Sequence, residues 1–153
     1  MSVEFCDTNV IVYAYDVTAG TRREFARQLL DRLWTDGVGA ASVQVLQELF
    51  VTLTRKIARP VDVATARGIV VDLATWRIIC PTEADVLAAI DATARWRISF
   101  WDAMIITAAQ AAGAAVVWSE DLNADQSFDG LTVRNPFRDQ LTPLTRGQPS
   151  TGA

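Results

Sequence analysis

The chain has 153 residues, half of them hydrophobic, with 18 acidic and 14 basic side chains and a formal net charge of −4. That is the size of one ordinary globular domain with enough apolar mass for a single core. It contains no histidine, which excludes His-based acid–base pairs, Ser-His-Asp triads and imidazole-bound zinc.

Val3 and Phe5 alternate along a first strand, 3–6, which runs through Asp7-Thr8-Asn9 into an apolar helix over 10–15. Residues 21–34 place Phe25, Leu29, Leu30 and Leu33 at helical spacing among charges of both signs, an amphipathic helix. A short strand is expected over 37–41. Ser42 caps a helix to about residue 56 whose buried stripe is Val45, Leu46, Leu49, Phe50 and Leu53. Pro60 is placed to open the next helix, to about residue 74. Residues 76–80 read as a strand, and Thr82-Glu83-Ala84-Asp85 as a capping box opening a helix with Val86, Ile90 and Ala94 inside. A helix over 99–112, apolar nearly all round, is expected to be buried and to end at Gly113. Residues 115–118 form a continuous apolar run, a central strand, and 131–134 an edge strand.

Short strands alternating with helices predict an α/β fold with a mainly parallel sheet covered on both faces. The organisation expected is one domain over 1–139 and a flexible tail over 140–153, rich in Thr, Pro, Gly and Ser. No segment approaches the roughly 20 apolar residues of a membrane helix, so a cytoplasmic protein without membrane contact is expected. Cys6 and Cys80 fall in apolar strand-like segments and read as reduced, buried thiols.

Ligands of parallel sheets bind beyond the carboxyl ends of the strands, which draws attention to the acids there. Asp7 ends the first strand, and Asn9 suffices to cap the helix that follows, leaving Asp7 free for a ligand role. Glu48 lies in the row Gln44, Glu48, Thr52, Arg55, a solvated helix face by spacing alone. Asp102 completes Ser99-Phe100-Trp101-Asp102, an S-x-x-D capping box, so a structural task stands beside a functional one. Asp121 sits in the loop after the 115–118 strand, which Asp125 and Asp129 extend. There is no G-x-G-x-x-G or Gly-Lys-Ser/Thr loop, and the cysteines are unpaired, so any metal is held by oxygen, as Mg²⁺ or Mn²⁺ is. Removing the four acids Asp7, Glu48, Asp102 and Asp121 leaves 18 − 4 = 14 acids against 14 bases, of which thirteen are Arg and one is Lys56.

Asp7-Thr8-Asn9 near the start, Val45-Leu46-Gln47-Glu48-Leu49 in the middle, Ser99-Phe100-Trp101-Asp102-Ala103 late and Trp118-Ser119-Glu120-Asp121-Leu122-Asn123 after the last strong strand resemble the PIN-domain family. The likeness is to its VapC-like ribonuclease toxins of toxin–antitoxin pairs in particular. The resemblance covers about residues 3–137. It implies a three-layer α/β sandwich and an acidic Mg²⁺ site of Asp7, Glu48, Asp102 and Asp121 supported by Thr8 and Asn9. Glu120 or Asp125 stands as an alternative to Asp121. Asp7 and Asp102 would be the inner ligands, with Glu48 and Asp121 completing the shell directly or through water.

The implied activity is endoribonuclease hydrolysis giving a 5′-phosphate and a 3′-hydroxyl. The implied partners are an RNA substrate, a cognate antitoxin whose helix covers an apolar groove near residues 10–15 and 45–53, and a second copy of the chain. Four carboxylates about 6 Å apart repel by roughly 3 kcal/mol per pair at an effective dielectric near 20, so they hold a cation or take up protons. An acidic pocket does not by itself choose its phosphate ester. A DNA nuclease, a phosphatase and a non-catalytic PIN-like module remain as alternatives.

Overall fold

The computed structural model describes residues 1–141. Strand β1 (Val3–Cys6) leads into α1 (Thr8–Tyr15) and α2 (Thr21–Asp36). Gly37 closes α2 in the left-handed conformation, φ 67°, which is why the expected strand starts later, as β2 (Gly39–Ser42). Ser42 then caps α3 (Val43–Val51), its hydroxyl accepting from Val45 N at 3.3 Å. The helix expected to reach residue 56 does so through a π-helical turn, Thr52–Lys56. Its predicted stripe splits: Val45, Leu49 and Leu53 are fully buried, whereas Leu46 and Phe50 are half-buried.

Pro60 does not open α4 (Val63–Leu73), because Asp62 caps it, accepting from Thr65 N at 2.7 Å. Strand β3 (Arg77–Ile79) follows, then α5 (Glu83–Trp96), α6 (Phe100–Ala111) and β4 (Ala114–Trp118). In α5 the predicted inner face is the outer one. Ala89 and Ala92 are buried against Ala103 and Met104 of α6, while Val86, Ile90 and Ala94 are exposed. Alanines let the two helices approach closely, and that seam outcompetes the bulkier stripe. Cys6 is buried as expected, but Cys80, just past the end of β3, is exposed.

The chain closes with β5 (Ser127–Phe128), β6 (Leu131–Arg134) and α7 (Pro136–Leu141). Asp129 and Gly130, φ 52° and 91°, turn β5 back on β6 in a two-residue hairpin. Strand β6 is therefore not the edge it was expected to be. Apart from Gln140 and Leu141, which close α7, the expected tail lies outside the described residues.

Among the described residues the sheet has six strands in the order β3-β2-β1-β4-β6-β5, all pairs parallel except β5 with β6. All four residues of β2 are buried, and since neighbours in a strand point to opposite faces, both faces are covered there. Helices α2 and α6 each pack on β2; α1 and α7 join α2, and α5 joins α6. This is the expected α/β sandwich with a mostly parallel central sheet. Among the described residues no helix is long and apolar enough to cross a membrane.

Candidate active site

Strands β1 and β4 are neighbours in parallel register, with Cys6 opposite Trp118. The next residues, Asp7 and Ser119, consequently leave the sheet side by side at its carboxyl edge, where Asp7 N still donates to Trp118 O at 2.9 Å. Asp7 is 8 % exposed. Its Oδ1 accepts from Thr8 N at 2.7 Å and its Oδ2 from Ser119 Oγ at 2.8 Å. Asp7 is itself the cap of α1. Asn9, to which sequence reasoning gave that task, instead holds the loop after β4, its Oδ1 accepting from Glu120 N at 3.2 Å.

Burial pushes the Asp7 carboxyl up to about 6, against the pull of the bonds from Ser119 and Thr8, and the charges of Glu48 and Asp121 push the same way. Three residues earlier, within β1, Glu4 shows the opposite outcome. Arg32 donates to both of its oxygens, at 2.7 and 2.8 Å, and holds that carboxyl below the ordinary range. Among the described residues Asp7 has no guanidinium partner.

Glu48, on α3, reaches Asp7's neighbour: Thr8 Oγ1 donates to Glu48 Oε2 at 2.8 Å, and Gln44 Nε2 donates to Oε1 at 2.9 Å. Thr8 thus links the two acids structurally, its N–H on Asp7 and its hydroxyl on Glu48. At the start of α6 only half of the expected capping box forms. Ser99 Oγ accepts from Asp102 N at 3.1 Å, but among the described residues the Asp102 carboxylate has no hydrogen-bond partner. It faces the same open cavity, about 750 Å³, that Asp7, Glu48 and Asp121 line.

The alternatives to Asp121 stand elsewhere. Glu120 is held by Arg22, Nε to Oε1 at 2.9 Å, and Asp125 is paired with Arg138. Neither lines the cavity. Sequence reasoning passed over Ser119, which donates to Asp7 and accepts from Asp121 N and Leu122 N, both at 3.2 Å. Its signal was positional: it follows the strand paired with β1. Gln44, Lys56 and Trp101 also line the cavity.

The donors offered are all oxygens, and each Asp7 oxygen uses one of its two lone pairs, so both retain one for a cation. The chemistry of this set fits a hard divalent ion. Among the described residues no three acids converge into a ready chelating group; Glu48 is drawn to Thr8 and Gln44.

Residues 5–127 match the profile of the PIN domain family. No curated protein matches the chain. Among solved structures it is similar to a toxin–antitoxin complex from Klebsiella pneumoniae, with 20 % identity, TM-score 0.61, and 88 % of this chain and 98 % of that one covered. FitAB bound to an IR36 DNA fragment superposes with TM-score 0.65 at 19 % identity over 88 % and 96 % of the two chains. VapC20 of Mycobacterium tuberculosis, a sarcin–ricin-loop-cleaving toxin, gives TM-score 0.59 at 20 % identity over 77 % and 91 %. At such identities the likeness establishes a shared fold.

Proposed function

The chain belongs to the PIN domain family, and from that premise we propose that it is a divalent-metal-dependent endoribonuclease, the toxin of a toxin–antitoxin pair. The observation that carries this reading is that Asp7, Glu48, Asp102 and Asp121, from four separate segments, line one cavity at the carboxyl edge of the sheet. With no histidine in the chain, phosphodiester hydrolysis here relies on oxygen-held metal rather than imidazole.

Asp7 and Asp102 would hold Mg²⁺ or Mn²⁺, with Glu48 and Asp121 completing the set. When bound, the ion supplies Lewis-acid activation of water and neutralises charge gathering on the phosphate. The protein's own contribution is orientation. Ser119 and Thr8 N fix both Asp7 oxygens, Thr8 Oγ1 and Gln44 fix Glu48, and Asn9 tethers the loop that carries Asp121. One of Glu48 and Asp121 would orient the attacking water.

Partners belong to the same proposal. Between α3 and α4 runs an apolar groove of about 570 Å³, including Leu46, Phe50, Val63 and Val70, suited to the apolar face of an antitoxin helix. A homodimer in the cytoplasm completes the reading. The lack of a ready chelating group among the described residues favours one competing reading, a non-catalytic PIN-like module.

Incubating the purified chain with total RNA, a DNA of equal sequence and a phosphomonoester, with Mg²⁺ or EDTA, separates the readings. RNA cleavage abolished by EDTA and by Asp7→Asn is expected. Hydrolysis of the monoester alone, or RNA cleavage indifferent to both treatments, would refute it.

A further inference from the structure

Of the chain's five tryptophans four are buried or half-buried, and Trp101 alone is exposed, at 64 %. It is the residue before Asp102 and lines the same cavity, as does Ile105 one turn along α6. The indole is not loose. Phe100 meets it edge to face, centroids 5.0 Å apart at 70°, and Phe100 is itself packed on the buried cluster of Ala89, Ala92, Ala103 and Met104. A large flat ring is thus braced from the core, left bare to solvent and set at the mouth of an acidic pocket. An exposed aromatic face fixed at the edge of a pocket is the form that a base-stacking platform takes. The same cavity carries one cation, Lys56, exposed at the end of the π-helical turn and without an ion-pair partner among the described residues.

We infer that Trp101 is a stacking platform for one unpaired nucleobase of the RNA, adjacent to the phosphodiester presented to Asp7 and Asp102. This rests on the nuclease reading. A base inside a duplex has both faces covered by its neighbours, so the platform selects loops and single strands. Stacking engages the π-face that every base possesses, so the preference is for unpaired over paired rather than for one base. Lys56 contributes from another element by contacting a backbone phosphate, a contact that carries no base information. Trp101 is a positioning residue: it sets which nucleotide lies beside the acids.

The test uses the full chain and a single-stranded RNA dodecamer carrying 2-aminopurine at successive positions, bound in Ca²⁺, with cleavage of the same RNA followed in Mg²⁺. One position is expected to be quenched at least twofold by the wild-type chain, to recover in Trp101→Ala and to stay quenched in Trp101→Phe. The KM of Trp101→Ala is expected to rise about tenfold with kcat within about threefold. Deleting the base at that position should raise the wild-type KM to the level of Trp101→Ala and leave the variant unaffected. Lys56→Ala should weaken intact and abasic RNA by the same factor.

Absence of a quenched position, or equal losses for Trp101→Ala on intact and abasic RNA, overturns the platform. A change in oligomeric state in both Trp101→Ala and Trp101→Phe overturns it in favour of a protein contact. Position-specific quenching that depends on Trp101 without any cleavage supports the platform and refutes the nuclease. Metal-dependent cleavage with unchanged KM in Trp101→Ala does the reverse.

Discussion

Ser119 Oγ donates to Asp7 Oδ2 at 2.8 Å while accepting the backbone N–H groups of Asp121 and Leu122. A hydroxyl has one proton and two lone pairs, so all of its capacity is used and its proton must point at Asp7. Ser119→Ala therefore frees a buried carboxylate and orphans two amides at once. It is expected to lower stability by about 1–3 kcal/mol and divalent-ion affinity by about tenfold or more. A denaturant melt and an isothermal Mg²⁺ titration measure the two effects; unchanged ion affinity would remove Ser119 from the site.

Burial raises the Asp7 carboxyl to about 6 in the folded chain, above the ordinary 3.8. An acid raised in this way favours folding most when protonated, and that contribution disappears as pH rises through the folded value. Metal-free protein should accordingly lose up to roughly 3 kcal/mol between about pH 4 and pH 6. Above pH 6, Mg²⁺ should recover part of the loss, and Asp7→Asn should flatten the profile and melt several degrees higher without metal. Melting curves at fixed ionic strength decide it: a metal-free profile flat across that window contradicts the placement of Asp7.

The fourth acid is decided by three variants. Asp121→Asn is expected to cost cleavage at least tenfold, whereas Glu120→Gln and Asp125→Asn should stay within about threefold, because their carboxylates pair with Arg22 and Arg138 away from the cavity. Initial rates on one RNA under saturating Mg²⁺ are sufficient. Equal losses for Glu120→Gln and Asp121→Asn would mean that the loop re-forms on binding.

Gly39→Ala tests the packing of β2. A Cβ at Gly39 would lie 2.6 Å from the Trp76 ring, which is braced edge to face by Trp34 at 4.9 Å and has little room to yield. A loss of about 1–3 kcal/mol is expected by chemical denaturation; a neutral substitution would show that the indole pair is mobile.

The sequence made the alternation of strands and helices legible because periodicity reports which face of each element is covered. It failed where two local rules compete. Asp7 and Asn9 are both good caps two residues apart, and only the pairing of β1 with β4 shows that Asp7 caps while Asn9 braces a distant loop. In α5, the stripe of Val86 and Ile90 was the stronger hydrophobic signal, yet the close approach permitted by Ala89 and Ala92 set the seam. Of the site, Asp7 was legible from its place at a strand end. Asp121 was marked by its place after a strand, though its choice over Glu120 and Asp125 rested on family likeness, as did Glu48 and Asp102, because a solvated row and a capping box look the same whether or not they share a pocket. Ser119 and Trp101 had no local signature, since their significance lies in what stands beside them after folding.

The apolar groove between α3 and α4 and the acidic cavity have Gln47 and Val51 in common. On the proposed reading, a helix seated in the groove would stand beside the cavity at these shared residues, and the two occupants would exclude one another. For a tight groove ligand, free active sites would equal the excess of one chain over the other. On the proposed reading, such a chain would respond to relative synthesis as a threshold device: silent while the inhibitor is in surplus, and active in steep proportion once it falls short.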